Sequence, residues 1–309
     1  MNAITKRTDI TASDEGAKAE PREIDPRIFD LYDEFCHSDM DRRTFLSRAA
    51  ALGILGGVAM ATSLLPRYAE AAMIKFTDTR IKATYVEYDS PGGNSGQMRG
   101  YLVQPRSQGP FPAVIVIHEN RGLNPHIEDV ARRAAIEGFL AFAPDGLYPI
   151  GGYPGNDEDG KVMQKSLDRG KLFIDLMNGA KFVKAHALSN GKLGATGFCY
   201  GGGVTNALAV HMGDDLQAGV PFYGAAAKAE DVGNIQAPLL IHYAEDDKRI
   251  NAMKEGFESA LNAAGKSFES HVYPGTRHGF HNNSTPRFNE AQAKIAWERT
   301  IAHFKKYLT

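Results

Sequence analysis

Gly197-Phe198-Cys199-Tyr200-Gly201-Gly202 is the stretch on which the reading of this chain turns. A strand-like run, Lys192-Leu193-Gly194-Ala195-Thr196, precedes it, and the helix-compatible Gly203-Val204-Thr205-Asn206-Ala207-Leu208-Ala209-Val210 comes after it. A G-x-nucleophile-x-G pattern between strand and helix is a nucleophile elbow. Its glycines remove Cβ atoms where the two backbones must pass closely, and they tolerate the strained turn. The central side chain, here a thiol, is then held out at the carboxyl edge of a sheet beside a helix N-terminus. A small buried cysteine satisfies the same local pattern. Residues further along the chain decide between the two readings.

An acid and a histidine come next, in that order. Ala237-Pro238-Leu239-Leu240-Ile241-His242-Tyr243 reads as a fully buried strand. It runs into a polar turn, Ala244-Glu245-Asp246-Asp247-Lys248-Arg249-Ile250-Asn251. Phe268-Glu269-Ser270-His271-Val272-Tyr273 alternates as a strand does, ends at Pro274-Gly275, and is followed by Thr276-Arg277-His278-Gly279-Phe280. Nucleophile, acid and histidine each fall just past the carboxyl end of a predicted strand, which is the chain order of the α/β-hydrolase triad. Ligands of open α/β sheets bind at that edge. The predicted fold is therefore α/β: a mostly parallel central sheet with helices on both faces. In this arrangement Cys199 is the nucleophile, His278 the general base and an aspartate of the turn the group that orients it. The backbone N–H of Tyr200 supplies half of an oxyanion hole, and that of Asn120, after the third strand, the other half.

The cysteine elbow, the Asp247-x-x-Ile250-Asn251 segment and His278-Gly279-Phe280 together resemble the dienelactone hydrolase family, in its exported members. The strand Ala113-Val114-Ile115-Val116-Ile117 ending in His118-Glu119-Asn120-Arg121-Gly122 adds a fourth match. The resemblance runs from about Lys75 to the C-terminus. It implies hydrolysis of a small ester or lactone through a thioester. It selects Asp247 over Asp246, because the family's acid stands three residues before the branched Ile250. It also implies that Glu119 lies beside the sulfur, keeps the resting thiol protonated and moves when substrate arrives. A nearby carboxylate does raise a thiol pKa. The family carries an arginine for the substrate carboxylate in the region of residues 145–156, where this chain has none. Arg121, Arg277 and Arg287 are the candidates to replace it. The same triad would serve a general carboxylesterase or an acyltransferase, and a ligand-binding relative could keep the fold without turnover.

Composition fits one large domain. The chain has 309 residues, 43% of them hydrophobic and 23% charged, with enough apolar content for a sizeable core. A formal charge of −2 with scattered basic residues gives no sign of nucleic-acid binding, and no nucleic-acid partner is expected. His118, His242, His271 and His278 show no metal-ligand spacing, so no metal is expected. His118 reads as a satisfied polar residue under the site, and His281 as a residue of its rim. No dinucleotide or phosphate loop occurs, and no cofactor is expected.

Residues 1–72 read as a mobile N-terminal region, and residues 73–309 as the hydrolase-like domain. Asp41-Arg42-Arg43-Thr44-Phe45-Leu46, a short apolar stretch over residues 49–65 and Ala69-Glu70-Ala71 have the make-up of a twin-arginine export signal. The expected location is the periplasm, with the export machinery as a partner, or a membrane anchor if the signal is retained. Cleavage after Ala71 would remove Cys36 and leave Cys199 as the sole thiol, which argues against a dithiol redox enzyme.

Overall fold

The computed structural model describes residues 24–38 and 40–309. Four short helices come first: α1 (Pro26–His37), α2 (Arg42–Ala51), α3 (Gly57–Ser63) and α4 (Tyr68–Ala71). Strands β1 (Ile81–Ser90), β2 (Gly96–Pro105) and β3 (Phe111–Ile117) lead into α5 (Pro125–Ile136) and β4 (Leu140–Pro144). Helices α6 (Asp157–Ser166) and α7 (Arg169–Ala185) precede β5 (Ser189–Phe198), α8 (Tyr200–Met212) and β6 (Ala218–Phe222). The chain ends with β7 (Leu239–Asp246), α9 (Lys248–Ala263), β8 (Phe268–Arg277) and α10 (Glu290–Leu308). The eight strands form one sheet in the order β1-β2-β4-β3-β5-β6-β7-β8. Only β2 runs against its neighbours; the six strands from β4 to β8 are parallel.

Parallel strands covered on both faces read as continuous apolar runs, and the alternation within them sorts the core. On β3, Ala113, Ile115 and Ile117 face a cluster with Leu176 and Ala180 of α7, Leu208 of α8 and Leu261 of α9. Val114 and Val116 face the opposite cluster, with Val130 of α5 and Phe304 of α10. Two cores therefore sandwich one sheet, and the carboxyl ends of β3, β5, β7 and β8 emerge along one edge.

The elbow between β5 and α8 depends on close backbone approach. Cys199 has φ 55° and ψ −111°, a conformation L-residues rarely adopt. A Cβ on Gly197 would stand 2.2 Å from the Gly201 carbonyl oxygen, and one on Gly201 would stand 2.3 Å from that of Ile117. Both obstacles are backbone in the middle of the sheet, so neither can move aside cheaply.

Residues 24–38 and 40–72 depart from the expected mobile leader, while the part of that expectation covering residues 1–23 and 39 lies outside the described residues. Ile28, Leu31, Tyr32, Phe35 and Cys36 recur at helical spacing and are buried, together with Phe45, Ala49, Ala61 and Leu64 of α2, α3 and the turn after it. Phe35 stacks on Phe45 with ring centroids 4.7 Å apart. Arg48 also pairs with Glu34 at 2.5 Å, but both side chains are about half exposed. Such a pair contributes about 0.2–1 kcal/mol, against roughly 1.5–3 kcal/mol for each buried aromatic or aliphatic side chain. Apolar packing holds this unit together. The apolar stretch over residues 49–65 is split by Gly53 and Gly56, both at positive φ. No helix among the described residues is long and apolar enough to cross a membrane.

Gly201→Ala is expected to cost about 1–3 kcal/mol or more, because the new methyl group has no room. Gly256 lies on the exposed side of α9, with nothing within 4 Å of its Cβ position. Gly256→Ala should instead stabilise by about 0.5–1 kcal/mol. Urea titration of both variants checks the contrast; equal shifts would mean that the elbow glycine is replaceable.

Candidate active site

Cys199 stands at the end of β5 as the residue capping α8, half-buried. Its position at a helix N-terminus places the positive end of the helix dipole against the sulfur. Tyr200 is the first residue of α8, so its N–H has no acceptor within the helix. Asn120 follows β3 and lines the same cavity of about 480 Å³ as Cys199, Tyr200, His37 and Arg249. Its side-chain amide is engaged elsewhere, donating to the Cys36 carbonyl at 2.9 Å.

Asp247 falls between β7 and α9. One carboxylate oxygen, Oδ1, accepts from the Ile250 N–H at 3.2 Å and caps α9. The other, Oδ2, lies 2.5 Å from Nδ1 of His278, and both side chains are buried. The polar turn predicted from Ala244 to Asn251 is thus mostly regular structure, with Asp247 at the junction. Asp246 points outward and pairs with Arg277 at 2.9 Å. With Nδ1 held by the carboxylate, His278 turns Nε2 toward the sulfur, and that nitrogen has no hydrogen-bond partner.

Glu119 is buried at the end of β3, 4.0 Å from Arg121 and 3.3 Å from the side-chain amide of Asn282. Burial raises its pKa, and the charge of Cys199 adds to the rise against the pull of Arg121 and Arg287. His118 donates its Nδ1–H to the Glu119 carbonyl at 2.6 Å and accepts the Gly146 N–H at Nε2, at 3.2 Å; it supports the loop. His281 is buried and stacks on Phe198, inside the core and not at a rim. Of the three arginines, Arg121 is buried and bound to Asp157 at 2.7 Å, and Arg277 is a surface partner of Asp246 and Asp30. Arg287 is buried with its guanidinium over the ring of Tyr32, and Nε and Nη1 lack hydrogen-bond partners.

Sequence reasoning missed one residue that meets the sulfur. His37, the last residue of α1, brings Nε2 to 3.5 Å from Cys199 Sγ, and its ring meets that of His278 edge-on at 4.8 Å between centroids. Its Nδ1 is fixed by the Asp33 carbonyl at 2.8 Å and the Asp33 carboxylate at 3.3 Å. Arg249 approaches Nε2 from outside at 3.2 Å. The C-terminal end of α1, where carbonyls carry partial negative charge, is held by cations of the domain. Lys161 donates to the Phe35 carbonyl at 2.6 Å and Lys165 to that of Ser38 at 3.0 Å. Arg121 meets the Cys36 sulfur at 2.8 Å. The available signal was the helical spacing of Ile28, Leu31, Tyr32, Phe35 and Cys36, which marks an amphipathic helix in search of a partner.

Two imidazoles facing one sulfur set the electrostatics. Burial alone would raise the thiol pKa, but the charge of His278 and the contact with His37 bring it well below its ordinary value. Burial lowers His278, and the charge of Cys199 and the bond to Asp247 reverse this, raising it to about 8. Burial likewise opposes the charged form of His37, and the bonds to Asp33 and Cys199 raise it to about 10. The protonated resting thiol implied by the resemblance is therefore not the state these charges favour, even with Glu119 nearby.

A mixed sheet of this strand order, with a thiol on the elbow and an Asp–His pair at its edge, defines an α/β-hydrolase. The model of the Dienelactone hydrolase family matches residues 98–308, and the chain belongs to that family. Residues 17–52 match a second model, described as YqhI-like. The chain is 57% identical over 106 residues to the "Putative hydrolase fragment YghX" of Escherichia coli, covering 34% of this chain and 90% of that one. It is 32% identical over 270 residues to the "Putative carboxymethylenebutenolidase" of the same organism, covering 80% of this chain and 98% of the relative. Among solved structures, a "Putative Dienelactone Hydrolase" from Klebsiella pneumoniae superposes with a TM-score of 0.64 at 29% identity. That superposition covers 73% of this chain and 99% of the other. The chain is a hydrolase of the dienelactone hydrolase type.

A lowered thiol pKa means that the thiolate persists as pH falls. Iodoacetamide should therefore alkylate Cys199, mapped by mass, at near-plateau rate at pH 7. A rate still climbing tenfold per pH unit toward about 8.5, the ordinary thiol value, would contradict the charge balance. Glu119→Gln should move the midpoint of the profile lower still, by about one pH unit, since a like charge is removed; an unmoved midpoint takes Glu119 out of thiol control.

Proposed function

We propose that this protein hydrolyses small esters or lactones with Cys199 as nucleophile, His278 as proton carrier and Asp247 as the group that orients it. The observation that carries the reading is the 2.5 Å contact between Asp247 and His278, made at the edge where the elbow presents its thiol. The Cys199 thiolate adds to the ester carbonyl carbon, and the carbonyl electron pair moves to oxygen, facing the N–H groups of Tyr200 and Asn120. When the intermediate collapses, the C–O bond breaks and the imidazolium of His278 protonates the leaving oxygen. In a lactone this oxygen remains tethered to the acyl group. Neutral His278 then takes a proton from water, whose oxygen attacks the thioester, and the thiolate leaves. Each oxyanion donor is worth roughly 3–4 kcal/mol of transition-state stabilisation.

Helix α1 covers part of the cavity, which favours compact substrates. Incubation with nitrophenyl esters and with a dienelactone, followed by intact mass, should trap an acyl group on Cys199. Cys199→Ala should abolish turnover. Asp247→Asn should lower kcat by about 10⁴-fold, by analogy with the orienting acid of other triads, while Asp246→Asn should leave it nearly unchanged. Turnover that survives Cys199→Ala, or that depends on Asp246 and not Asp247, overturns the assignment. Binding without turnover would make the protein a ligand-binding relative.

We infer that residues 24–66 remain in the working enzyme, whether or not Arg42 and Arg43 direct export to the periplasm. Cleavage after Ala71 would remove His37 together with α1 and uncover the part of the domain on which that helix is seated. The protein isolated from its native source should retain these residues by intact mass. A mature chain beginning near Met73 would exclude His37 from the working site.

A further inference from the structure

The sequence contains no metal-ligand spacing, yet the fold assembles a ligand set from three distant pieces of chain. His37 ends α1, Cys199 tops the elbow and His278 follows β8, and one donor atom from each lies within 4.8 Å of the other two. A tetrahedral zinc ion has Zn–S of about 2.3 Å and Zn–N of about 2.0–2.1 Å, which sets its S···N edge near 3.5 Å. The Cys199 Sγ to His37 Nε2 separation is 3.5 Å.

Both imidazoles are already oriented as metal ligands. His278 has Nδ1 on the Asp247 carboxylate, and His37 has Nδ1 on the Asp33 carbonyl at 2.8 Å with the Asp33 carboxylate 3.3 Å away, so each is held from behind the nitrogen that faces the sulfur. Carboxylates and backbone carbonyls in this outer position fix the tautomer and raise ligand basicity in zinc sites. Nε2 of His278, on a side chain 5% exposed, points into the cluster with no hydrogen-bond partner.

We propose that His37, Cys199 and His278 bind zinc or a zinc-like divalent ion, which clasps α1 over the elbow and takes the thiol out of use. A thiolate with two neutral imidazoles suits a borderline-soft ion and not magnesium or calcium. Three protein ligands leave the fourth position to water from the adjoining cavity. Arg249, now 3.2 Å from His37 Nε2, is exposed and must swing aside. Arg121 and Arg287 stay buried nearby and oppose the ion's charge, whereas Asp33, Asp247 and Glu119 offset it. Loading changes no oxidation state: the sulfur binds as thiolate, both rings bind neutral, and the protons they held pass to the buffer. The blocking of activity rests on Cys199 being the nucleophile; the binding itself does not.

The full-length protein, dialysed against chelator, should take up one equivalent of zinc. Cobalt should give a thiolate-to-metal charge-transfer band. Zinc should stop alkylation of Cys199 and ester hydrolysis, and chelator should restore both. Asp247→Asn keeps every ligand and should weaken zinc about 10–100-fold, the usual effect of losing such an outer partner. His37→Gln should weaken it further, with circular dichroism confirming that both variants fold. Zinc affinity unchanged in His37→Gln, cobalt without the thiolate band, or hydrolysis stimulated by zinc would each overturn the proposal. Absence of esterase activity alone would count against the hydrolytic reading, because the cobalt spectrum and the alkylation assay need no turnover.

Discussion

The close passage of β5 and α8 is the constraint on which the rest of the site depends. Gly197 and Gly201 let the two backbones approach to distances no Cβ would allow, and Cys199 is left in a strained conformation between them. Strain of this kind costs about 1–3 kcal/mol and persists only where the surroundings over-determine it. Here the surroundings are the parallel strands on either side and two apolar layers. In exchange the sulfur is fixed in direction, so that groups arriving from β7, β8 and α1 converge on a point that does not move.

Convergence of charge is the second theme. Taken alone, a buried thiol beside Glu119 would stay protonated. The two imidazoles outweigh both burial and the carboxylate, and each is itself sustained by an aspartate behind it. The Asp247–His278 pair belongs to the hydrolase domain, and the Asp33–His37 pair is contributed by a helix that makes its own small core. The site is thus quasi-symmetric about the sulfur, with one half borrowed from the segment matched by the YqhI-like model.

Much of this was legible in the sequence wherever a single physical demand fixed the residue type. Strands β3 and β7 are covered on both faces and open as apolar runs, and the glycines of the elbow mark the end of β5, so the strand ends placed Glu119, Cys199 and Asp247 at one edge. The outer pair β1 and β2 alternates with polar residues and gives a weaker signal, so the antiparallel start of the sheet was not placed. Helix α1 was obscured by its neighbours in sequence: Arg42-Arg43 and the small-residue stretch after it resemble a leader. The apolar stretch over residues 49–65 is folded back on itself at Gly53 and Gly56, whose positive φ composition alone does not reveal. The placement of His37 beside Cys199 depends on docking across 162 positions, and no local pattern encodes that distance.

The seat of α1 is built in part from the far end of the chain. Arg277 binds Asp30, Arg287 underlies Tyr32, and the Arg67 amide reaches the Ser284 carbonyl at 2.7 Å. On the ribosome the helices emerge first, yet their dock is incomplete until β8 and the loop beyond it have been synthesised. Contacts so remote in sequence form late, after the loop-closure entropy of the intervening chain has been met. Vectorial synthesis therefore leaves the nascent sulfur without His37 until β8 is in place, and α1, though made before that strand, comes to rest after it.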